Sequence, residues 1–97
     1  MTTALNPYLA RLSVDAREAF MRCLNTRRGT IRKTAPNRRQ DPLAWAAWQG
    51  FRTGCGLHGE SATFGLMMLG DDARRIWDEV SDVTIAARRG LRTNKES

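Results

Sequence analysis

Histidine and cysteine are nearly missing from this chain: His58 is its one histidine, and Cys23 and Cys55 are its two cysteines. A closed structural zinc site takes four ligands. Cys55-x-x-His58 supplies half of one and Cys23 a third ligand, but no second pair at metal-ligand spacing follows. As nucleophile and base, Cys55 and His58 lack a third group to orient the imidazole. Two cysteines make no disulfide framework, so reduced thiols and a cytoplasmic setting are expected. Long apolar runs are missing too. The longest, residues 43–48 and 64–69, fall far short of a bilayer's thickness. The opening MTTALNPYLARL has no basic lead ahead of an apolar run, so no signal peptide is expected. These shortages point away from metal, cofactor, catalytic and membrane roles. The expectation is a non-enzymatic binding protein.

No stretch alternates with period two for long enough to build a sheet, and no internal repeat is present. What remains is helical. Asn6-Pro7 opens a short helix over residues 7–12, because proline lacks an N–H that a first turn leaves unused anyway. Ser13 caps the next helix, whose apolar positions Ala16, Phe20, Cys23 and Leu24 recur at helical spacing up to a stop at Gly29. That places Arg27 and Arg28 in its last turn, at the negative end of the helix dipole. Asp41-Pro42 repeats the cap-then-proline signal ahead of a helix with Ala44, Ala47, Trp48 and Phe51 on one face, ended by Gly54. Residues 61–69 read as a compact apolar helix ended by Gly70. Asp71 or Asp72 caps a last helix with Ala73, Ile76, Trp77, Val80, Val83 and Ala87 on one stripe, closing before Gly90. The predicted fold class is all-α: a compact bundle of four main helices, a short N-terminal fifth and a long basic loop at 27–40. Residues 1–90 form a single domain and 91–97 a flexible tail. With 41% hydrophobic residues the chain has enough apolar content for a core.

The segment TGCGLHGES at 53–61 sets Gly54, Gly56 and Gly59 in the spacing G-x-G-x-x-G. A dinucleotide fingerprint needs a strand before the first glycine and a βαβ unit around it. A tryptophan-rich helix stands there instead, and Glu60 would repel an anion. The glycines read as a tight corner between helices. Asp78, Glu79 and Asp82 share their helix with Arg74 and Arg75, four-residue pairs typical of a solvated face. Those carboxylates also argue against a groove-reading last helix, because they would face phosphates.

Charge carries the functional signal. Sixteen basic residues stand against ten acidic ones for a net charge of +6, and the excess lies in the first half of the chain. Arg27, Arg28, Arg32, Lys33, Arg38 and Arg39 fall within thirteen residues that contain no acid. Guanidinium groups on a flexible loop suit phosphates, since attraction and counterion release demand no fixed geometry. No aromatic residue is interleaved, so stacking is not offered by the loop itself. The expected ligand is therefore nucleic acid phosphate, with the protein acting as a regulator or accessory factor. The alternative partner is an acidic or nucleic-acid-handling protein complex, inhibited or redirected as small phage-type modulators do, engaged by Trp45, Arg52 and the basic loop. Arg52 also lies within cation–π reach of Trp48, and the aromatic residues leave room for a homodimer.

Overall fold

The computed structural model describes the backbone of residues 5–25, 27–28, 30–57 and 60–96, and the side chains of these except 5–7, 60–62 and 90–96. Among the described residues five helices and one small sheet follow in the order α1 (Leu5–Ala10), α2 (Val14–Met21), β1 (Leu24–Asn25), β2 (Thr30–Ile31), α3 (Pro42–Gly54), α4 (Glu60–Met67) and α5 (Asp71–Glu96). The fold is mostly helical rather than all-α. β1 pairs antiparallel with β2 in the register Leu24↔Ile31 and Asn25↔Thr30.

That hairpin is the main correction to the predicted element order. α2 ends at Met21, where the backbone N–H of its C-cap Arg22 donates to Glu18 O and that of Cys23 donates to Phe20 O. The chain then turns into β1, so Arg27 and Arg28 sit at the hairpin tip and not in a last helical turn. Gly29, the predicted stop, lies outside the described residues. Two-residue strands are too short for alternation to register in a sequence, and such a hairpin needs outside support. It receives it. Arg32 N–H donates to Cys23 O at 2.7 Å, and Trp48 Nε1 of α3 donates to Arg32 O at 2.9 Å. Leu24 and Ile31 pack against the core.

The most extensive contact in the molecule joins α3 to α5. It is close because two α3 residues facing α5 have no side chain. A Cβ built on Gly50 would lie 2.8 Å from Trp77 O, and one on Gly54 would lie 2.5 Å from Thr84 Cβ. Ala44, Ala46 and Ala47 are also buried, so α3 meets its neighbours through small residues on several sides. Ile76 and Val80 of α5 are fully buried, as are Phe20 and Cys23 from the α2 side. Trp77 and Val83 of the predicted stripe are only half-buried, and the polar Ser81 and Thr84 are buried beside it. Both find partners: Ser81 Oγ donates to Trp77 O at 2.7 Å, and Thr84 Oγ1 shares a 2.7 Å hydrogen bond with Tyr8 Oη. Burial pushes the Tyr8 phenol up to about 12.

Two ends are held by charge. Asp41 caps α3 as predicted, accepting from Ala44 N–H at 3.2 Å, and it also takes a two-pronged contact from Arg22 Nε at 2.7 Å and Nη2 at 3.0 Å. The guanidinium holds the Asp41 carboxyl below its usual range. Ser13 stands at the N-cap of α2, but its hydroxyl donates to Asp15 and to Glu79 of α5 instead of capping. Glu79 also accepts the Ser13 backbone N–H, and Arg75 bridges Asp15 and Glu79. Thus the Arg75–Glu79 pair of the predicted solvated face belongs to a clasp between α2 and α5, while among the described residues Arg74 and Asp78 form no ion pair. α5 continues through Gly90 to Glu96, past its predicted end. One glycine costs a helix only about 1 kcal/mol relative to alanine. α1 begins at Leu5 and so contains Asn6, its predicted cap.

Candidate functional site

The basic segment is built as a hairpin followed by a tethered loop. Arg28 N–H donates to Asn25 O at 3.1 Å across the tip. Beyond β2, Asn37 Oδ1 accepts from the N–H groups of Arg39 at 2.9 Å and Gln40 at 3.0 Å, an Asx turn that delivers the chain to Asp41. Asp41 N–H in turn donates to Asn37 O at 2.9 Å. The backbone is therefore fixed at Arg32 and at Asn37.

Between the hairpin and this loop lies a groove of about 730 Å³. Arg28, Arg32 and Lys33 line it, together with Asn25, Thr30 and Asn37, which bring further polar groups. Among the described residues no carboxylate lines it. All six predicted cations are exposed, and among the described residues none of them pairs with an acid. Unneutralised guanidinium groups around a concave surface concentrate positive potential there. Arg27 projects from the hairpin tip outside the groove lining, and Arg38 and Arg39 occupy the turn at its far end.

Arg38 is drawn towards α3. Its guanidinium carbon lies 5.8 Å from the Trp45 ring centroid, and Arg52 lies 5.0 Å from that of Trp48, the latter contact as the sequence predicts. Arg52 Nη2 also donates to Leu57 O at 3.3 Å. Trp45 itself is not at the surface. Only 9% of it is exposed, because α4 crosses over it at Gly65, where a Cβ would come within 2.6 Å of the ring. The Trp45–Arg52 surface patch expected for a protein partner is thus divided: each tryptophan is buried beneath a different arginine.

The remaining candidates are dispersed. Cys55 follows α3 as its C-cap and is half-buried, and Gly56 adopts a left-handed φ of 77°, which builds the predicted corner. His58 and Gly59 lie outside the described residues. Cys23 is fully buried, donates Sγ–H to Ala44 O at 3.1 Å, and has its thiol pushed up to about 12 by burial. Among the described residues no three His, Cys, Asp or Glu side chains gather as a metal would need. No helix among them is long and apolar enough to cross a membrane.

One surface went unread in the sequence. The sequence marks residues 61–69 only as a compact apolar helix; Phe64 and Met67 on α4 and Met68 just after it are 71%, 69% and 81% exposed. The signal was present: residues 61–70 contain no charge, and among the described side chains of the helix only Gly65 and Leu66 are buried. Comparison with protein-family models, with curated proteins and with solved structures finds no match to this chain.

Proposed function

We propose that the protein is a non-enzymatic binding protein that docks on the phosphates of nucleic acid through its basic hairpin and loop, acting as a regulator or accessory factor. The observation that carries this reading is the groove itself. Arg28, Arg32 and Lys33 line one concavity with no carboxylate among its described lining residues, and Arg27, Arg38 and Arg39 stand at its margins. A merely solubilising charge run also stays unpaired, so it is the shared concavity that favours docking. Each phosphate neutralised releases condensed counterions, so binding should weaken steeply with salt. The partner-protein reading needs a solvent-facing anchor, and Trp45, its intended anchor, is buried.

A salt titration of binding to short DNA and RNA tests the proposal. If about four to six phosphates are neutralised, log affinity should fall against log salt with a slope of roughly −3 to −5. Changing Arg32, Lys33, Arg38 and Arg39 together to alanine should abolish binding while the helical fold persists. No binding by the wild type at low salt would remove nucleic acid from consideration.

A further inference from the structure

We infer that α4 is the base-stacking platform of this same interface, so that the ligand is an unpaired polynucleotide strand and not a duplex. The inference rests on the proposed phosphate-docking role of the basic loop and adds what that loop lacks, an aromatic surface.

Phe64 and Met67 stand three residues apart on α4 and Met68 follows in the turn that closes it, so the three exposed side chains lie at the C-terminal end of the helix. That end is not remote from the basic segment. The next residue, Gly65, approaches so closely that a Cβ there would lie 2.7 Å from Arg38 Nη1. The guanidinium of Arg38 therefore rests against α4 one residue from Phe64. Arg39 follows it in the same turn and is exposed. Phosphates held by Arg38 and Arg39 would present their bases towards an aromatic ring with two polarisable thioethers beside it.

The occupant follows from area and chemistry. Phe64, Met67 and Met68 together expose on the order of 400 Å² of side chain. A stable protein interface buries about 800 Å² on each partner, so a protein would have to cover the neighbouring cations as well as these three side chains, whereas a polynucleotide is drawn to those cations. A nucleic acid strand has no such threshold, since each base stacks separately and its phosphates add attraction. In a duplex the base faces are already stacked on one another and closed to Phe64. Neither stacking nor phosphate contact senses the 2′-hydroxyl, so the site takes DNA and RNA strands alike.

Fluorescence anisotropy with a labelled oligothymidylate and oligouridylate of about 15 nucleotides, and with a duplex of matching length, tests the inference. The wild type should bind both single strands with similar affinity and the duplex more weakly. Phe64→Ala should weaken single-strand binding roughly five- to a hundredfold and leave duplex binding and the salt slope unchanged. Phe64→Leu, which keeps an apolar side chain but no ring, should be as weak as alanine, and Phe64→Trp should restore affinity. Phe64 is exposed, so each variant should keep the wild-type circular dichroism spectrum. Single-strand binding that survives Phe64→Ala yet disappears in the four-residue loop variant would overturn the stacking role and leave phosphate docking standing. Phe64→Leu binding like the wild type would likewise overturn it, by showing that a ring is not needed. A wild type that binds neither strand nor duplex overturns both readings.

Discussion

Replacing Gly50 with alanine probes the contact on which the molecule's shape depends. In an exposed helix interior this change stabilises, because alanine favours helix over glycine by about 0.8–1 kcal/mol. Here the new Cβ would lie 2.8 Å from Trp77 O and 3.0 Å from Val80 Cβ. The first obstacle is a backbone carbonyl in the middle of α5, so no change of rotamer relieves it. The two helices must part by roughly half an ångström, and a gap of that size forfeits about a quarter of each dispersion contact along the seam. Overpacking of this kind costs about 1–3 kcal/mol. The Ser81 Oγ–H bond to Gly50 O, already 3.2 Å long, stretches as well. Set against the gain in propensity, the net effect expected is a loss of about 1 kcal/mol. For a domain of this size each kcal/mol moves the midpoint by about 4–8 °C, so Tm should fall by roughly that amount in a circular dichroism melt. Urea unfolding should show a lower midpoint with an unchanged slope. A Tm equal to or above that of the wild type would refute the close α3–α5 contact.

Trp48→Phe keeps the ring in the core but loses the Nε1–H bond to Arg32 O, so stability should drop by about 1 kcal/mol in urea unfolding and amide exchange in the hairpin should quicken. Tyr8→Phe removes the shared bond to Thr84 and leaves the Thr84 hydroxyl without that partner in a buried position, a loss of about 1–2 kcal/mol by the same unfolding assay. Asp41 and Asp15 both have carboxyls held below the usual range, Asp41 chiefly by Arg22 and Asp15 chiefly by the Ser13 hydroxyl. A depressed folded pKa means the stabilisation is complete above the unfolded value, near pH 4, and is lost as pH falls through the folded value. Melts taken below about pH 4 should therefore show falling Tm, less steeply in Asp41→Asn. Thiol titration with Ellman's reagent near pH 8 should label Cys55 readily and Cys23 only after unfolding, because Cys23 is fully buried and its thiol is pushed up to about 12.

What could be read from the sequence was whatever a few adjacent residues decide. Asp41-Pro42 starts α3 because a cap and a proline act within one turn, and the buried residues Ala16, Phe20, Ile76 and Val80 follow from spacing alone. Features that need two distant segments were hidden. Ser13 was recognisable as a cap position, but its actual partner, Glu79, is 66 residues away. Gly54 looked like a helix terminator and is one, yet the same missing side chain also admits Thr84. The cations were visible as a charge run, while the hairpin that gathers three of them into a groove rests on two-residue strands. Phe64 and its neighbours are legible as a compact apolar helix. Apolarity does not say which helix is left over once the core is full, and Gly65 is the residue that sets α4 across Trp45.

Arg22 and Asp41 grip one another across nineteen residues, one at the exit of α2 and the other at the entrance of α3. Everything between them is an excursion whose two ends are fastened side by side. Its further tether at Arg32 uses a backbone carbonyl, which any residue possesses. Apart from Cys23, Leu24 and Ile31, which meet the core, and Asn37, which makes the closing turn, the scaffold places few demands on side-chain identity along that stretch. Lengthening such a closed excursion is also cheap, about 0.6 kcal/mol for each doubling. A chain arranged in this way can exchange the exposed basic part of that segment for another of different charge or length and keep α2, α3 and α5 in register, much as a tool holder accepts a new bit.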